Sequence, residues 1–410
     1  MLKNKKIWQE SFWAFLGQSL SVFAIIAGIR VITEFVSPEH YGQYVIFSGI
    51  SLLIFNVISG SIFQSFLRII PEENDKKAIL LSSKIVILFT VLSIASFSLY
   101  LISKWNFYFL VFLFFAYLIS EHFVGFYKVL MNIKKEQKKY AIFQILLSSF
   151  RPIISVLLYV FFEQKFTSII FGFLLANLII SFLFFGKKIM HDLNNALHEK
   201  TKLKQFSNYL NYSKPLFFQK IFGWSLNNID KYIVAFFLGT DTVGKYAPIV
   251  SLISMLYQIF SEAINIIFRP YYFEKIAQKK VNSANKVLKI YGSILFASSV
   301  FFIIIFTLFN EEIVNLVLGE NFRSYYYLLP MLSISFTFLV FGYLFATICL
   351  AYKKTWLVFK IEGIAAIANL LILPFAIYKY GVDGIPIAIL FTYLTHCIVG
   401  LISIKGINEK

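Results

Sequence analysis

The sequence predicts an all-α integral membrane protein, with twelve transmembrane helices in two pseudo-symmetric six-helix lobes. Three observations carry this. Hydrophobic residues make up 59% of the 410 positions and charged residues only 14%, against about 25% charged in an ordinary soluble domain. Apolar runs of about 20 residues, the length that crosses a bilayer, recur along the chain. A short polar turn, VSPEHYGQY at 36–44, returns as LGTDTVGKY at 238–246, so Gly42 and Gly244 stand 202 positions apart, near half the chain length.

Composition bounds the class first. A water-soluble chain of this length presents about half its residues to water and cannot hide so much apolar surface. Mean hydropathy is +0.74. Cys349 and Cys397 lie inside apolar runs and read as small core residues, without the spacing of a metal cluster. MLKNKK precedes an apolar run that reaches Val36 without a small-x-small cleavage site, which reads as an uncleaved first helix rather than a signal peptide.

The twelve expected spans are 11–33, 43–68, 80–103, 106–130, 141–162, 167–186, 215–238, 246–268, 289–309, 325–350, 356–378 and 383–404. Breaks between them carry Pro38, Pro71, Gly186, Pro215, Gly244, Pro270 and Gly381. With the N-terminus inside and sides alternating, 30 of the 38 Lys and Arg fall on inner segments and 5 on outer ones, leaving Arg30, Arg151 and Lys231 at membrane depth. Such a bias places both termini in the cytoplasm. The net charge of +17 is therefore topological, with attraction to anionic membrane lipids as a by-product. It calls for no nucleic acid.

An even number of spans in each half returns the chain to the same side, which makes the halves parallel repeats. Arg30 and Lys231 are 201 apart, as are Arg68 and Arg269, and each of the latter pair precedes a Pro (Pro71, Pro270) and a Lys pair (Lys76-Lys77, Lys279-Lys280). The expected organisation is an N-terminal lobe at 1–186, a cytoplasmic linker at 187–214 and a C-terminal lobe at 215–410. In the linker, Leu193, Leu197, Leu203 and Phe206 recur at helical spacing, the pattern of an amphipathic helix on the inner leaflet. His191 and His198 are seven apart, where metal-binding pairs favour four.

GIRVITEFVSPEHYGQY followed by SGSIFQSFLRIIPE resembles the N-terminal signature of polysaccharide repeat-unit (O-antigen-type) flippases. NNIDKYIVAFFLGTDTVGKYAPIVSLI resembles the start of their second half. These proteins belong to the multidrug/oligosaccharidyl-lipid/polysaccharide exporter superfamily, and the resemblance covers nearly the whole chain. It implies two six-helix lobes in a V-shaped exporter fold. It also implies flipping of an undecaprenyl-diphosphate-linked oligosaccharide from the inner to the outer leaflet of a bacterial cell membrane, for O-antigen or capsule synthesis. Polymerase and glycosyltransferase partners would accompany that role.

Charge at membrane depth costs about 2.5–3.5 kcal/mol on insertion scales and is a functional candidate by default. Arg30, Arg151 and Lys231 suit a diphosphate, to which Arg offers two donors at once. Arg68 and Arg269, at inner helix ends, join this substrate-binding set, although snorkelling to the interface explains them better singly. The acidic side comprises Glu121 beside His122, Asp230, Glu262 and Glu362. Glu121, His122, Asp230 and Glu262 are the candidates for proton or sodium coupling; ion pairing, or a buried histidine with its hydrogen bonds met, is the plainer reading. Asp230 and Lys231 are adjacent and do not share a helix face, so each calls for another partner. No G-x-x-x-x-G-K-[ST] and no G-x-S-x-G occurs, so neither nucleotide hydrolysis nor acyl-transfer chemistry is expected, and no cofactor.

Three rivals remain at this level. A multidrug cation exporter would want an acidic cavity. A lipid II flippase commonly carries extra spans. A polysaccharide polymerase commonly has a large outer loop, and the longest outer break here runs only from Asn310 to Ser324. The topology has a direct check. Single cysteines at Gln43, Lys165, Asp241 and Asn321 should react with an impermeant maleimide from outside intact cells, while labelling of Lys135 or Lys200 positions would overturn the assignment.

Overall fold

The structure is a computed structural model and describes residues 5–71, 76–162, 164–198 and 206–408. Twelve long helices run through these residues. They are α1 (Lys5–Phe35), α2 (Pro38–Ile69), α3 (Lys76–Ser103), α4 (Asn106–Ile133), α5 (Gln137–Phe161), α6 (Phe166–His198), α7 (Ser207–Leu238), α8 (Thr240–Ala277) and α9 (Val281–Leu308). A short α10 (Asn310–Val317) and a 3-10 turn (Glu320–Leu328) lead to α11 (Leu329–Ala351), α12 (Thr355–Tyr380) and α13 (Gly384–Asn408). Among the described residues ten stretches are long and apolar enough to cross a membrane, the last of which, Thr355–Lys405, holds both α12 and α13. The long helix outside that set is α7, which places Lys214, Gln219, Lys220, Asn227, Asn228, Asp230 and Lys231 on one rod. The chain is an all-helical, multi-pass membrane protein.

Two compact units divide the chain: Met1–Val36 with Ile46–Ile221, and Ser37–Val45 with Phe222–Lys410. One division falls in the link between α1 and α2, and the other two fall inside α2 and α7. In the first unit α1 lies along α5, α5 along α6, and α3 along α4. Gly28 of α1 faces the ring of Pro152, where a Cβ would come 2.7 Å from the proline Cγ, the close approach that small residues allow between membrane helices. In the second unit α13 packs between α11 and α12, and α8 against α9 and α11.

The repeated turn differs from its sequence reading in an informative way. Pro38 and Thr240 already begin helices. Pro38 suits the first helical position, where the missing N–H is harmless, and Ser37 caps it by accepting a 3.4 Å hydrogen bond from the His40 amide. Gly42 and Gly244 therefore sit within helical turns, and the left-handed angle belongs to Gly239, with φ of 86°. The two glycines serve the close approach instead. A Cβ on Gly42 would run into the Thr240 carbonyl oxygen, and one on Gly244 into the Pro38 carbonyl oxygen. Since Thr240 and Pro38 are themselves 202 apart, the contact is reciprocal.

Two further expectations change. Pro270 does not end α8, which continues to Ala277 with Pro248 and Pro270 both inside it. Residues 187–198 extend α6 instead of forming a separate surface helix; Ile189, Asp192 and Ala196 are buried there, and so is Phe206 further on. Leu203 and the side chain of Leu197 lie outside what the structure describes. Within α2, Asn56–Gly60 form a π turn. The cysteines are free and buried.

The glycine crossing gives a stability prediction. Gly42→Val should lower the stability of the purified protein by about 1–3 kcal/mol, the usual cost of overpacking, read as a depressed thermal midpoint. Gly292→Ala, whose Cβ would meet its nearest atom at 3.7 Å, should leave that midpoint in place.

Candidate functional site

The first unit assembles a charged cluster from three helices. Arg151 on α5 donates from Nη2 to Oε1 of Glu121 on α4 at 2.8 Å and from Nε to Oδ1 of Asn177 on α6 at 2.7 Å. Asn177 donates through Nδ2 to the same Glu121 oxygen at 2.9 Å and to Ser120 Oγ at 3.0 Å. Tyr117, one turn earlier on α4, hydrogen-bonds Glu121 as well. Lys128, two turns later on α4, lies within electrostatic reach of both Arg151 and Glu121. The Arg151 guanidinium also rests 5.8 Å from the Phe173 ring centre. The pair is not sealed: its side chains keep 22% and 18% of their surface open.

Sequence had singled out Arg151 and Glu121 but missed Asn177 and Lys128. Both left a signal. Asn177 is the one amide in the run from Phe166 to Gly186, and Lys128 follows Glu121 by seven residues, which returns it to the same helix face.

His122, next to Glu121, points elsewhere. Its Nδ1 meets Ser59 Oγ at 2.9 Å and its Nε2 meets Ser82 Oγ at 2.8 Å, and the ring is fully buried beside Phe63 and Phe89. Ser59 belongs to the π turn of α2, so His122 pins that turn to α3 and α4. His396 is also fully buried, set edge-on to Tyr343 at 5.3 Å.

Arg30 pairs with Glu34 one turn along α1, at 2.8 Å. The Gly28–Pro152 contact sets Arg30 and Arg151 at a similar level of the first unit, but residues two apart on a helix face different ways. Arg68 is exposed in the last turn of α2. Arg269 lies over the Phe273 ring at 5.2 Å.

In the second unit Lys231 spends its ammonium on its own helix. Nζ donates to Asn227 O at 2.9 Å, to Asn228 Oδ1 at 3.3 Å and to Asp230 Oδ1 at 3.5 Å. Asp230, 4% exposed, takes its shorter bond from Tyr246, whose hydroxyl donates to Oδ2 at 2.8 Å. The adjacent acid and base thus each have the additional partner their sequence positions called for. Tyr246 follows a polar turn between two apolar runs, a position that predicts an interfacial anchor with its hydroxyl among headgroups; it is instead fully buried. A buried carboxylate takes the hydroxyl more strongly than wet headgroups can. Tyr343 hydrogen-bonds Asn227 and lies within electrostatic reach of Glu362 and Glu262. Glu262 itself is exposed on α8. The described residues hold no group of three His, Cys, Asp or Glu arranged for a metal ion.

Replacing Tyr246 with Phe leaves Asp230 short of a donor in a dry setting, and should cost about 1–3 kcal/mol. Tyr327→Phe removes an equally short bond, 2.8 Å to Asp383, at an exposed site and should change stability far less. Thermal melts of the two variants side by side make the comparison.

Residues 31–326 match the family described as polysaccharide biosynthesis protein. No curated protein matches the chain in sequence. The fold is shared with solved structures over nearly the whole length. The lipid II flippase MurJ in an inward closed conformation aligns with 97% of this chain and 87% of its own, at 17% identity and a TM-score of 0.66. An inward-facing multidrug resistance MATE family transporter of the MOP superfamily aligns with 97% of this chain and 99% of its own, at 14% identity and a TM-score of 0.66. The Vibrio cholerae MATE transporter VcmN aligns with 99% and 97%, at 13% identity and a TM-score of 0.62. The chain therefore belongs to the polysaccharide biosynthesis protein family, and its fold is the one these solved transporters share.

Proposed function

We propose that this chain flips an undecaprenyl-diphosphate-linked oligosaccharide from the cytoplasmic to the outer leaflet of a bacterial cell membrane, supplying repeat units for O-antigen or capsule. The observation that carries the reading is the cluster around Arg151. It offers a guanidinium at membrane depth and, toward the inner end of α4, an ammonium against one carboxylate, the charge balance an anionic headgroup needs and a cationic drug does not. Family membership points to polysaccharide synthesis. The excess of Lys and Arg on alternate segments supports cytoplasmic termini, so the substrate would be taken up where its sugars are assembled. Polymerases and glycosyltransferases of the same route are the expected partners.

Lys231 enters this reading as a second headgroup contact, from the polar α7, with Arg30, Arg68 and Arg269 as further cations along the route. Asp230 and Glu262 are the acids available for proton or sodium coupling in the second unit, and Glu121 and His122 in the first. The test is transport of a fluorescent lipid-linked oligosaccharide in proteoliposomes. Lys231→Ala, at equal protein level, should lose most of the flux. Lys245→Ala should lose little, because Lys245 bonds Asp241 in the turn at 2.7 Å where solvent screens a single charge. Equal loss at both positions would remove Lys231 from the headgroup path, and absence of flux in the unmodified protein would refute the function.

A further inference from the structure

We infer that Glu121 is an exchangeable internal counter-ion that holds the anion seat formed by Arg151 and Lys128 until a diphosphate displaces it. This rests on the reading that the substrate headgroup is a diphosphate.

The charge count comes from sequence and the seat from geometry. Among α3, α4 and α5 the described residues hold one carboxylate, Glu121, and on α6 the next acid is Asp192, about 22 Å along the helix from Asn177 at 1.5 Å per residue. Arg151 and Lys128 both act on Glu121, so the seat keeps one positive charge in excess even when Glu121 is in place. A carboxylate satisfies one cation; a diphosphate carries more charge and enough oxygens for both. The two anions therefore compete for the same donors, and the incoming one is the better match.

The hydrogen bonds show how Glu121 would leave without stranding its partners. Asn177 grips Arg151 through its Oδ1 and Glu121 through its Nδ2. Its amide also reaches Ser120 Oγ, so Nδ2 keeps an acceptor if Glu121 swings away. Tyr117, on the same face of α4, continues to offer the released carboxylate a donor. Arg151 stays aimed by Asn177 in either state. Lys128 stands two turns from Glu121, about 10 Å along α4. On the inside-out topology it is nearer the cytoplasmic end, where the headgroup would meet it before Arg151. With no internal anion, the cations would be left uncompensated between cycles at a partly buried site, where a charge that loses its partner destabilises the fold. With an internal anion that could not leave, the seat would never fill.

The experiment uses the full chain in detergent micelles and inorganic diphosphate as the probe, with binding measured by calorimetry. Glu121→Gln removes the competitor while keeping size and hydrogen bonding, and should tighten diphosphate binding about tenfold, within the usual range of coupling between two ligands of one site. Lys128→Gln should weaken it by a similar factor, and Lys245→Ala should leave it unchanged. In proteoliposomes Glu121→Gln should bind substrate and turn over slowly, because nothing replaces the departing headgroup. Unchanged or weaker diphosphate binding in Glu121→Gln would overturn the inference. Collapse of that variant on gel filtration would do the same, since it would make Glu121 a fixed structural charge. Transport of the lipid-linked sugar by a protein indifferent to Glu121 would leave the proposed function standing and sink only the exchange. Tightened diphosphate binding by a protein that flips no such lipid would do the reverse.

Discussion

A charge inside a bilayer has to find its counter-charge inside the protein, and the pair of Arg151 and Glu121 is where this chain meets that constraint. The pair draws on α4 and α5, and Asn177 of α6 bonds both ions. Three helices are thereby fixed in rotation and height, since a turn of any one by a single residue would swing its group about 100° out of reach. Neighbouring contacts inherit that alignment. Pro152 follows Arg151 directly and receives Gly28 of α1, and His122 follows Glu121 directly and holds Ser59 and Ser82. Helices α1, α2 and α3 are in this sense referenced to one ion pair.

The second unit solves a related problem along a single helix. The middle of α7 carries several amide and charged side chains, yet the helix stays continuous through Leu238. Its side chains bond the rod's own carbonyls: Asn227 Nδ2 to Gly223 O at 2.7 Å, Asn228 Nδ2 to Trp224 O at 3.2 Å, Lys231 Nζ to Asn227 O. Each bond closes within one turn, so the polarity is satisfied before tertiary packing is considered. Two of its side chains also reach outward: Asp230 to Tyr246 on α8 and Asn227 to Tyr343 on α11.

Much of the fold was legible because lipid imposes a one-dimensional signal. Twelve expected spans translate into twelve long helices among the described residues, all but α7 in stretches apolar enough to cross a membrane, and the ends err where proline and glycine were read as breaks. Pro215 lies inside α7 and Pro270 inside α8, since a long helix tolerates proline where neighbours or solvent can take up the freed carbonyl. The candidate site was legible in half. Depth and charge exposed Arg151, Glu121, Asp230 and Lys231. The partners that decide their chemistry are Asn177, Lys128 and Tyr246, and these are uncharged or looked interfacial. Which of them meets a given ion depends on helix rotation, which composition does not encode. The π turn at Asn56–Gly60 is hard to read for a related reason: its residues are weak helix formers that specify no particular bond pattern, and the His122 ring that meets Ser59 comes from a helix about sixty residues on.

The reciprocal contact of Gly42 with Thr240 and Gly244 with Pro38 has the form that two identical surfaces take across a two-fold axis. Had a chain of half this length paired with its own copy, a single glycine would have stood at both sites, and any change there would have struck twice. Joined in one chain, the sites are free to diverge. Ser37 could remain a cap while its counterpart became Gly239, and Gln43 could face Lys245 in the alignment of the repeats, yet the two glycines could not part company. Each is held small by backbone atoms of the other turn, which cannot move aside as the end of a side chain can, so a larger residue at either position would have to part the two turns.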